Sequence, residues 1–239
     1  MERLSTEKYQ KHLVRAIEHF WETRDSQAKG QKKSDQGNRS SVTGGKQLDG
    51  LIGLLAYVSK DLGIPESCIY IKGNSLPGFF RPTKDWDFLI IAPNKQLIAV
   101  VEFKSQVGSF GNNFNNRTEE ALGSAVDLWT AFRENGFPQN QQPWLGYVIL
   151  VEKTNKSTTR VRLQEPYFKV RPEFYETSYL ERYVLLCQKL MQERHYTSTA
   201  LIWTDNSMKF ACPQDDVSFD TFLLSFMGFI QGKLKDFEK

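Results

Sequence analysis

Apolar positions along the chain fall into blocks of different period, and each period predicts an element. Tyr9, Leu13, Ala16, Ile17, Phe20 and Trp21 recur at helical spacing and predict an amphipathic helix over residues 6–24. Leu48, Leu51, Ile52, Leu55, Ala56 and Val58 predict a second helix over 48–62, stopped by Gly63 with Pro65 beyond. Cys68-Ile69-Tyr70-Ile71 predicts a short strand closed by Gly73-Asn74. Two apolar, β-branched runs follow, 88–91 and 97–103, with Pro93-Asn94-Lys95 as a turn between them. Strands joined this tightly pair as a hairpin, and with the preceding strand they predict a three-stranded meander. Thr118 is placed to cap a helix running to Arg133, which ends at Asn135-Gly136 with Pro138 after it. Residues 145–151 predict a fully buried strand, 179–194 a helix, 199–203 a strand and 219–234 a closing amphipathic helix. This order predicts an α/β fold, a mixed central β-sheet flanked by helices. Residues 154–177 carry dense charges and aromatics without a clear period, so no element is predicted there.

Composition narrows the class. The chain has 239 residues and is 40% hydrophobic, enough for one domain with a substantial core. It divides into N-terminal helices with a basic loop (1–65), a middle portion holding the meander (66–152) and C-terminal helices with a strand (153–239). A formal charge of +3 excludes a global polycation argument for nucleic acid. Locally, however, Arg24, Lys29, Lys32, Lys33, Arg39 and Lys46 face only Asp25 and Asp35 in a segment rich in Gly, Ser, Gln and Asn. Cys68, Cys187 and Cys212 are far apart and include no Cys-x-x-Cys pair, which argues against a disulfide framework and a zinc site. The N-terminus lacks a secretory pattern, and no run approaches the roughly 18 apolar residues of a membrane span. A soluble, cytoplasmic protein with no membrane partner is expected.

The candidate chemistry lies in the meander. Asp87 opens one strand, and Glu102-Phe103-Lys104 ends the next, 15 positions later. Side chains alternate along a strand, so Glu102 and Lys104 point the same way, and the returning hairpin can bring Asp87 beside them. Two carboxylates and one ammonium are the minimal equipment for holding a divalent metal against a phosphodiester. An acidic-x-Lys triplet alone is commonly a solvated ion pair on an edge strand. Here the triplet occurs once, ends an apolar strand and precedes a polar Gly/Asn-rich stretch. Burying Glu102 and Lys104 without partners would be costly, and a metal supplies the missing partner.

Asp87 followed by Glu102-Phe103-Lys104 resembles the active-site signature of the PD-(D/E)xK nuclease superfamily. The longer string, from Lys84-Asp85-Trp86-Asp87 through Glu102-Phe103-Lys104-Ser105-Gln106-Val107-Gly108 to Gly111-Asn112-Asn113-Phe114-Asn115-Asn116-Arg117-Thr118-Glu119-Glu120-Ala121, resembles XhoI-type type II restriction endonucleases over about residues 70–152. The chain departs from the signature because Pro82 is adjacent to neither aspartate, which leaves Asp85 and Asp87 as alternatives. Asp87 is preferred because it begins the apolar strand directly. The resemblance implies a restriction-endonuclease-like core and Mg²⁺ held by Asp87, Glu102 and the carbonyl of Phe103. It further implies that Lys104, its pKa depressed near the cation, positions or activates a water. It also implies a homodimer cutting a short palindrome in double-stranded DNA, such as CTCGAG, and a cognate DNA methyltransferase acting on the same site. The rivals are a repair or junction nuclease of the same superfamily, a catalytically silent DNA-binding module and a structural interaction protein.

The stretch after the triplet is the candidate DNA reader. Asn matches adenine N6 and N7, and Arg matches guanine O6 and N7. Ser105, Gln106, Asn113, Asn115, Asn116 and Arg117 are therefore expected to contact DNA, although Asn side chains in such a stretch also cap backbone groups. Lys32, Lys33 and Arg39 are expected on an arm that binds phosphates. Glu119 and Glu120 are expected in the first turn of a helix, favoured by its dipole. Trp129, Phe132 and the three histidines are expected to serve packing or surface roles.

Overall fold

The computed structural model describes residues 4–31, 46–137 and 141–238. Its centre is a six-stranded mixed sheet in the order β1-β4-β5-β6-β7-β8. These strands are Ile69–Tyr70 (β1), Phe88–Ile91 (β4), Leu97–Gln106 (β5), Trp144–Glu152 (β6), Ser198–Thr204 (β7) and Phe210–Ala211 (β8). β1, β4 and β5 form the antiparallel meander, whereas β5-β6 and β6-β7 are parallel. The tight turn between β4 and β5 closes through Ala92 N donating to Gln96 O at 2.9 Å, with Lys95 at φ 66. A two-stranded hairpin, Ser75–Pro77 (β2) with Thr83–Asp85 (β3), interrupts the meander and was not predicted.

Helices cover both faces. On one side lie Gln10–Gln31 (α1), Asp49–Asp61 (α2) and Phe219–Lys233 (α6), on the other Phe110–Arg133 (α3) and Tyr179–Gln192 (α5). Strand alternation divides the core accordingly. Ala99, Val101 and Phe103 join the α1-α2-α6 cluster, and Val100 joins the α3-α5 cluster with Leu145, Tyr147 and Ile149 of β6. Glu102 and Lys104 share parity with Val100, and Asp87 shares parity with Leu89 of that same cluster, so all three belong to the α3-α5 face.

The predicted apolar stripe of the first helix is buried in full, and the helix runs on to Gln31 rather than ending near 24. α5 begins at a capping box, with Ser178 Oγ accepting from Glu181 N and Glu181 Oε2 accepting from Ser178 N at 2.7 Å. β6 admits α6 closely because residue 146 is Gly, where a Cβ would lie 2.4 Å from the Trp144 ring.

The helix after the triplet starts at Phe110 and not at Thr118. Gly108 at φ 64 and Ser109 at φ 45 turn the chain, and Phe110 and Phe114, four apart, then pack against Tyr179. Aromatic anchoring overrides the local preference of the asparagines for turns. Thr118 is an interior residue whose hydroxyl donates to Phe114 O at 3.0 Å. Glu119 and Glu120 therefore lie three turns in, not in the first turn. Residues 154–177 contain a four-residue helix, Asn155–Thr158 (α4), and a 3-10 turn, Pro172–Phe174. Among the described residues, no helix is long and apolar enough to cross a membrane.

Candidate active site

The register of the hairpin builds the site. Phe88 opposes Val101 across β4-β5, which places Asp87 beside the Glu102-Phe103 step. Asp87 Oδ2 accepts the Phe103 amide at 2.7 Å. Lys104 Nζ sits 2.6 Å from Glu102 Oε1, and the Glu102 side chain is buried. Asp87, Glu102 and Lys104 are thus brought together as the sequence predicts. The alternative, Asp85, is exposed on β3 and pairs with Ser75 of the outer hairpin.

Electrostatics in this corner is strained by like charge. Burial and then the Glu102 charge push the Asp87 carboxyl up to about 6, against the Phe103 amide, Lys104 and Lys84. Burial pulls the Lys104 ammonium down, yet the charge and hydrogen bond of Glu102, with Asp87 and Glu120 behind them, hold it above its ordinary value. The shift is upward because the groups closest to Lys104 are carboxylates.

A cleft of about 470 Å³ opens here, lined by Phe80, Arg81, Lys84, Glu102, Lys104, Glu119 and Glu120, with Asp127 behind. Three of its contributors carry no signal in the triplet. Lys84, from β3, lies 3.0 Å from Glu102 Oε2 and 4.6 Å from the centre of the Trp86 ring. Glu120 reaches the cleft from α3. Asp127 is buried and accepts the amides of Phe79 and Phe80 at 2.9 and 2.8 Å and Arg81 Nε at 2.7 Å, which fixes the loop before β3. Burial pushes the Asp127 carboxyl up, but Arg81 and the two amides outweigh it and hold the group below its ordinary range. Gly78 is required in that loop, since a Cβ would lie 2.5 Å from Asp127 Oδ2. In the sequence, a lone Asp at an apolar position of the helix is the one signal of this role.

The donor set suits a hard divalent cation. Among the described residues no three His, Cys, Asp or Glu side chains gather to hold a metal, so a cation would take Asp87, Glu102, the Phe103 carbonyl and waters. That set, few carboxylates and several waters, is the one Mg²⁺ accepts. Glu102 Oε2 is buried and ion-paired with Lys84 at 3.0 Å but makes no aligned hydrogen bond, which leaves it acceptor capacity. Of seven such orphaned side-chain atoms among the described residues, Glu102 Oε2, Gln106 Oε1 and Arg117 Nε cluster near this end of β5.

The expected DNA readers separate into two groups. Ser105 points to the opposite face, where its hydroxyl accepts from Gln47 Nε2 at 2.8 Å. Gln106 is buried and donates to Gly108 O at 2.5 Å. Ser105 and the Gln106 amide nitrogen are thus engaged at the end of the strand, while Gln106 Oε1 is buried without a partner. Asn113, Asn115 and Asn116 project from the first turns of α3, and no hydrogen bond of their side-chain amides is found with described residues. Arg117 is half-buried, with NH1 on Glu120 at 2.5 Å and NH2 on Ser105 O at 3.3 Å. Lys32, Lys33 and Arg39 lie outside the described residues. Trp129 packs as expected, its Nε1 donating to His195 O at 2.8 Å. His12 stacks on Tyr57, and His19 Nε2 lies 3.1 Å from Lys46 O.

Comparison with known proteins agrees with this geometry. The family model described as restriction endonuclease XhoI matches residues 27–215. The type II restriction enzyme BstVI of Geobacillus stearothermophilus is 46% identical over 203 residues, covering 81% of this chain and 91% of that protein. The type II restriction enzyme XhoI of Xanthomonas vasicola is 45% identical over 180 residues, 73% of this chain and 72% of that protein. The type II restriction enzyme AbrI of Azospirillum brasilense is 42% identical over 167 residues, 67% of this chain and 74% of that protein. No solved structure matches the chain significantly. The chain belongs to the XhoI restriction endonuclease family.

Proposed function

We propose that this protein is a type II restriction endonuclease that hydrolyses both strands of a short palindrome in double-stranded DNA, with 5′-CTCGAG-3′ as its target. The convergence of Asp87, Glu102 and Lys104 on one face, with Glu102 and Lys104 lining a cleft, carries this reading. Type II restriction enzymes generally use divalent metal ions, and Mg²⁺ is the cation proposed here. Asp87, Glu102 and the Phe103 carbonyl would hold it; when bound, it polarises the phosphate and acidifies a coordinated water. Lys104 orients the attacking water. Glu102 holds the Lys104 ammonium, and the Phe103 amide fixes the Asp87 carboxylate before DNA arrives. The water oxygen bonds to phosphorus as the bond to the 3′ oxygen breaks, leaving a 5′-phosphate and a 3′-hydroxyl.

Asn113, Asn115, Asn116 and Arg117 are the proposed base readers, and Lys32, Lys33 and Arg39 the phosphate binders. A two-fold symmetric site calls for a two-fold symmetric reader, so the active form is a homodimer. A methyltransferase that marks the same hexamer protects host DNA in the cytoplasm without needing to bind this chain. Digestion of a long DNA with Mg²⁺ tests the proposal. Discrete fragments ending at CTCGAG are expected, and Glu102→Gln and Lys104→Ala should each slow cleavage by about 10³-fold while folding normally. A smear, or full activity in either variant, refutes it.

A further inference from the structure

The Glu102 carboxylate lies between two lysines, whereas the acidic-x-Lys triplet supplies only one. Lys104 Nζ occupies Oε1 at 2.6 Å, and Lys84 Nζ lies 3.1 Å from Oε1 and 3.0 Å from Oε2. The two ammonium groups come from different structures: Lys104 from the central strand β5, Lys84 from the outer hairpin. Lys84 is largely buried, with 13% of its side chain exposed. Its remaining contacts are the Asp85 carbonyl at 3.2 Å and the Trp86 ring at 4.6 Å.

The oxygen that is free to take a metal is the one beside Lys84. Glu102 Oε2 has no aligned hydrogen bond, so a divalent cation drawn to it meets the Lys84 ammonium as a like charge. At close range in a partly buried site, that repulsion is weakly screened. Lys84 must therefore turn away from Glu102 when the site is loaded. The buried Trp86 face attracts the ammonium and keeps it from leaving for bulk water. The hairpin that carries it is anchored by Trp86 N donating to Asn74 O at 3.1 Å and, through the neighbouring loop, by Asp127. Confined to the cleft without its carboxylate, the ammonium needs an anion, and the anion of this reaction is the scissile phosphate.

We propose that Lys84 is a second catalytic lysine, which pairs with Glu102 in the metal-free protein and moves to a non-bridging oxygen of the scissile phosphate when a divalent cation takes that carboxylate. This rests on the nuclease reading above. It assigns Lys84 two duties in sequence, neutralising the acidic pair before metal arrives and stabilising the charge that builds on phosphorus afterwards.

Lys84→Met and Lys84→Arg in the full-length protein test it by two independent measurements. The first is a calorimetric titration with Mg²⁺ alone, without DNA. Removing the competing ammonium should tighten binding about tenfold in Lys84→Met and leave Lys84→Arg near wild type. The second is single-turnover cleavage of a duplex containing the hexamer mapped for the wild type, with sulfur replacing either non-bridging oxygen at the scissile phosphate. Lys84→Met should cut the all-oxygen duplex about 10²-fold slower, and the penalty for one sulfur diastereomer should shrink relative to wild type. Unchanged or weaker Mg²⁺ binding in Lys84→Met, or a sulfur penalty equal to that of wild type, overturns the inference. If wild type cuts nothing, the nuclease reading fails, and the metal titration still decides whether Lys84 competes with the cation.

Discussion

Replacing Asp87 by Asn should make the metal-free protein more stable while abolishing cleavage. Burial and the Glu102 charge raise the Asp87 carboxyl from about 3.8 to about 6, and a tenfold change in proton affinity corresponds to about 1.4 kcal/mol. Ionised Asp87 therefore disfavours the folded, metal-free state by up to about 3 kcal/mol, with 1–3 kcal/mol a fair expectation after relaxation. Asparagine removes the charge and keeps an acceptor for the Phe103 amide. The sign follows from linkage: the folded state binds the Asp87 proton more tightly than the unfolded chain does. Wild-type stability thus falls as pH rises from about 4 to about 6 and stays lower above that range. The gap between Asp87→Asn and wild type should be near zero below pH 4 and full above pH 6. For a chain of this size each kcal/mol moves the melting temperature by about 2–4 °C, so thermal melts in EDTA at pH 8 should place the variant about 2–12 °C higher. Adding Mg²⁺ should raise wild type and not the variant. Equal or lower stability of Asp87→Asn at pH 8 in EDTA, or a gap that does not change with pH, would show that the two carboxylates do not oppose each other.

Two further outcomes probe the scaffold. Asp127→Ala leaves the Phe79 and Phe80 amides and Arg81 without their acceptor; it should destabilise the protein by about 3 kcal/mol in urea titrations and slow cleavage by loosening the loop that precedes Lys84. Gly146→Ala drives a methyl to 2.4 Å from the Trp144 ring and 2.9 Å from Phe222, so melts should show a loss of about 1–3 kcal/mol or more, with Mg²⁺ affinity retained in the protein that remains folded.

The convergence of Asp87, Glu102 and Lys104 was legible because it obeys local rules. A two-strand alternation and a tight turn suffice to place Asp87, Glu102 and Lys104 on one face, and the structure shows that face. The sequence was also sufficient for the long helices and the buried strands, whose apolar periods are unbroken. It failed where tertiary contacts decide. The start of α3 was hidden because Asn112 to Asn116 read locally as a turn, while Phe110 and Phe114 are held by Tyr179 and Tyr183, more than 60 positions away. The outer hairpin was hidden because its strands have three residues each and bury little. Lys84 acts from that hairpin, whereas Glu120 and Asp127 lie inside the predicted helix and face a loop and a cleft that only tertiary contacts create.

The direction of the strands explains why one edge gathers all the polar chemistry. β4 runs opposite to β5, so the beginning of β4, at Asp87, lies by the far half of β5, at Glu102 and Lys104. β6 and β7 run parallel to β5 and finish on the same edge, where Glu152 accepts the Gly108 amide at 3.1 Å and Thr204 accepts Trp21 Nε1 of α1 at 3.0 Å. Ligands of open α/β sheets collect at such carboxyl ends because strands finish there and polar loops begin. Described residues that flank the basic stretch in sequence meet at this same edge. Before it, Arg24 of α1 donates to Gln47 at 3.3 Å; after it, Gln47 donates to Ser105 at 2.8 Å. The carboxylates of the proposed site and the described residues that flank the densest cationic segment thus share one rim of the sheet. On the function proposed above, the local charge of the intervening sequence, and not the net charge of only +3, supplies the attraction for DNA.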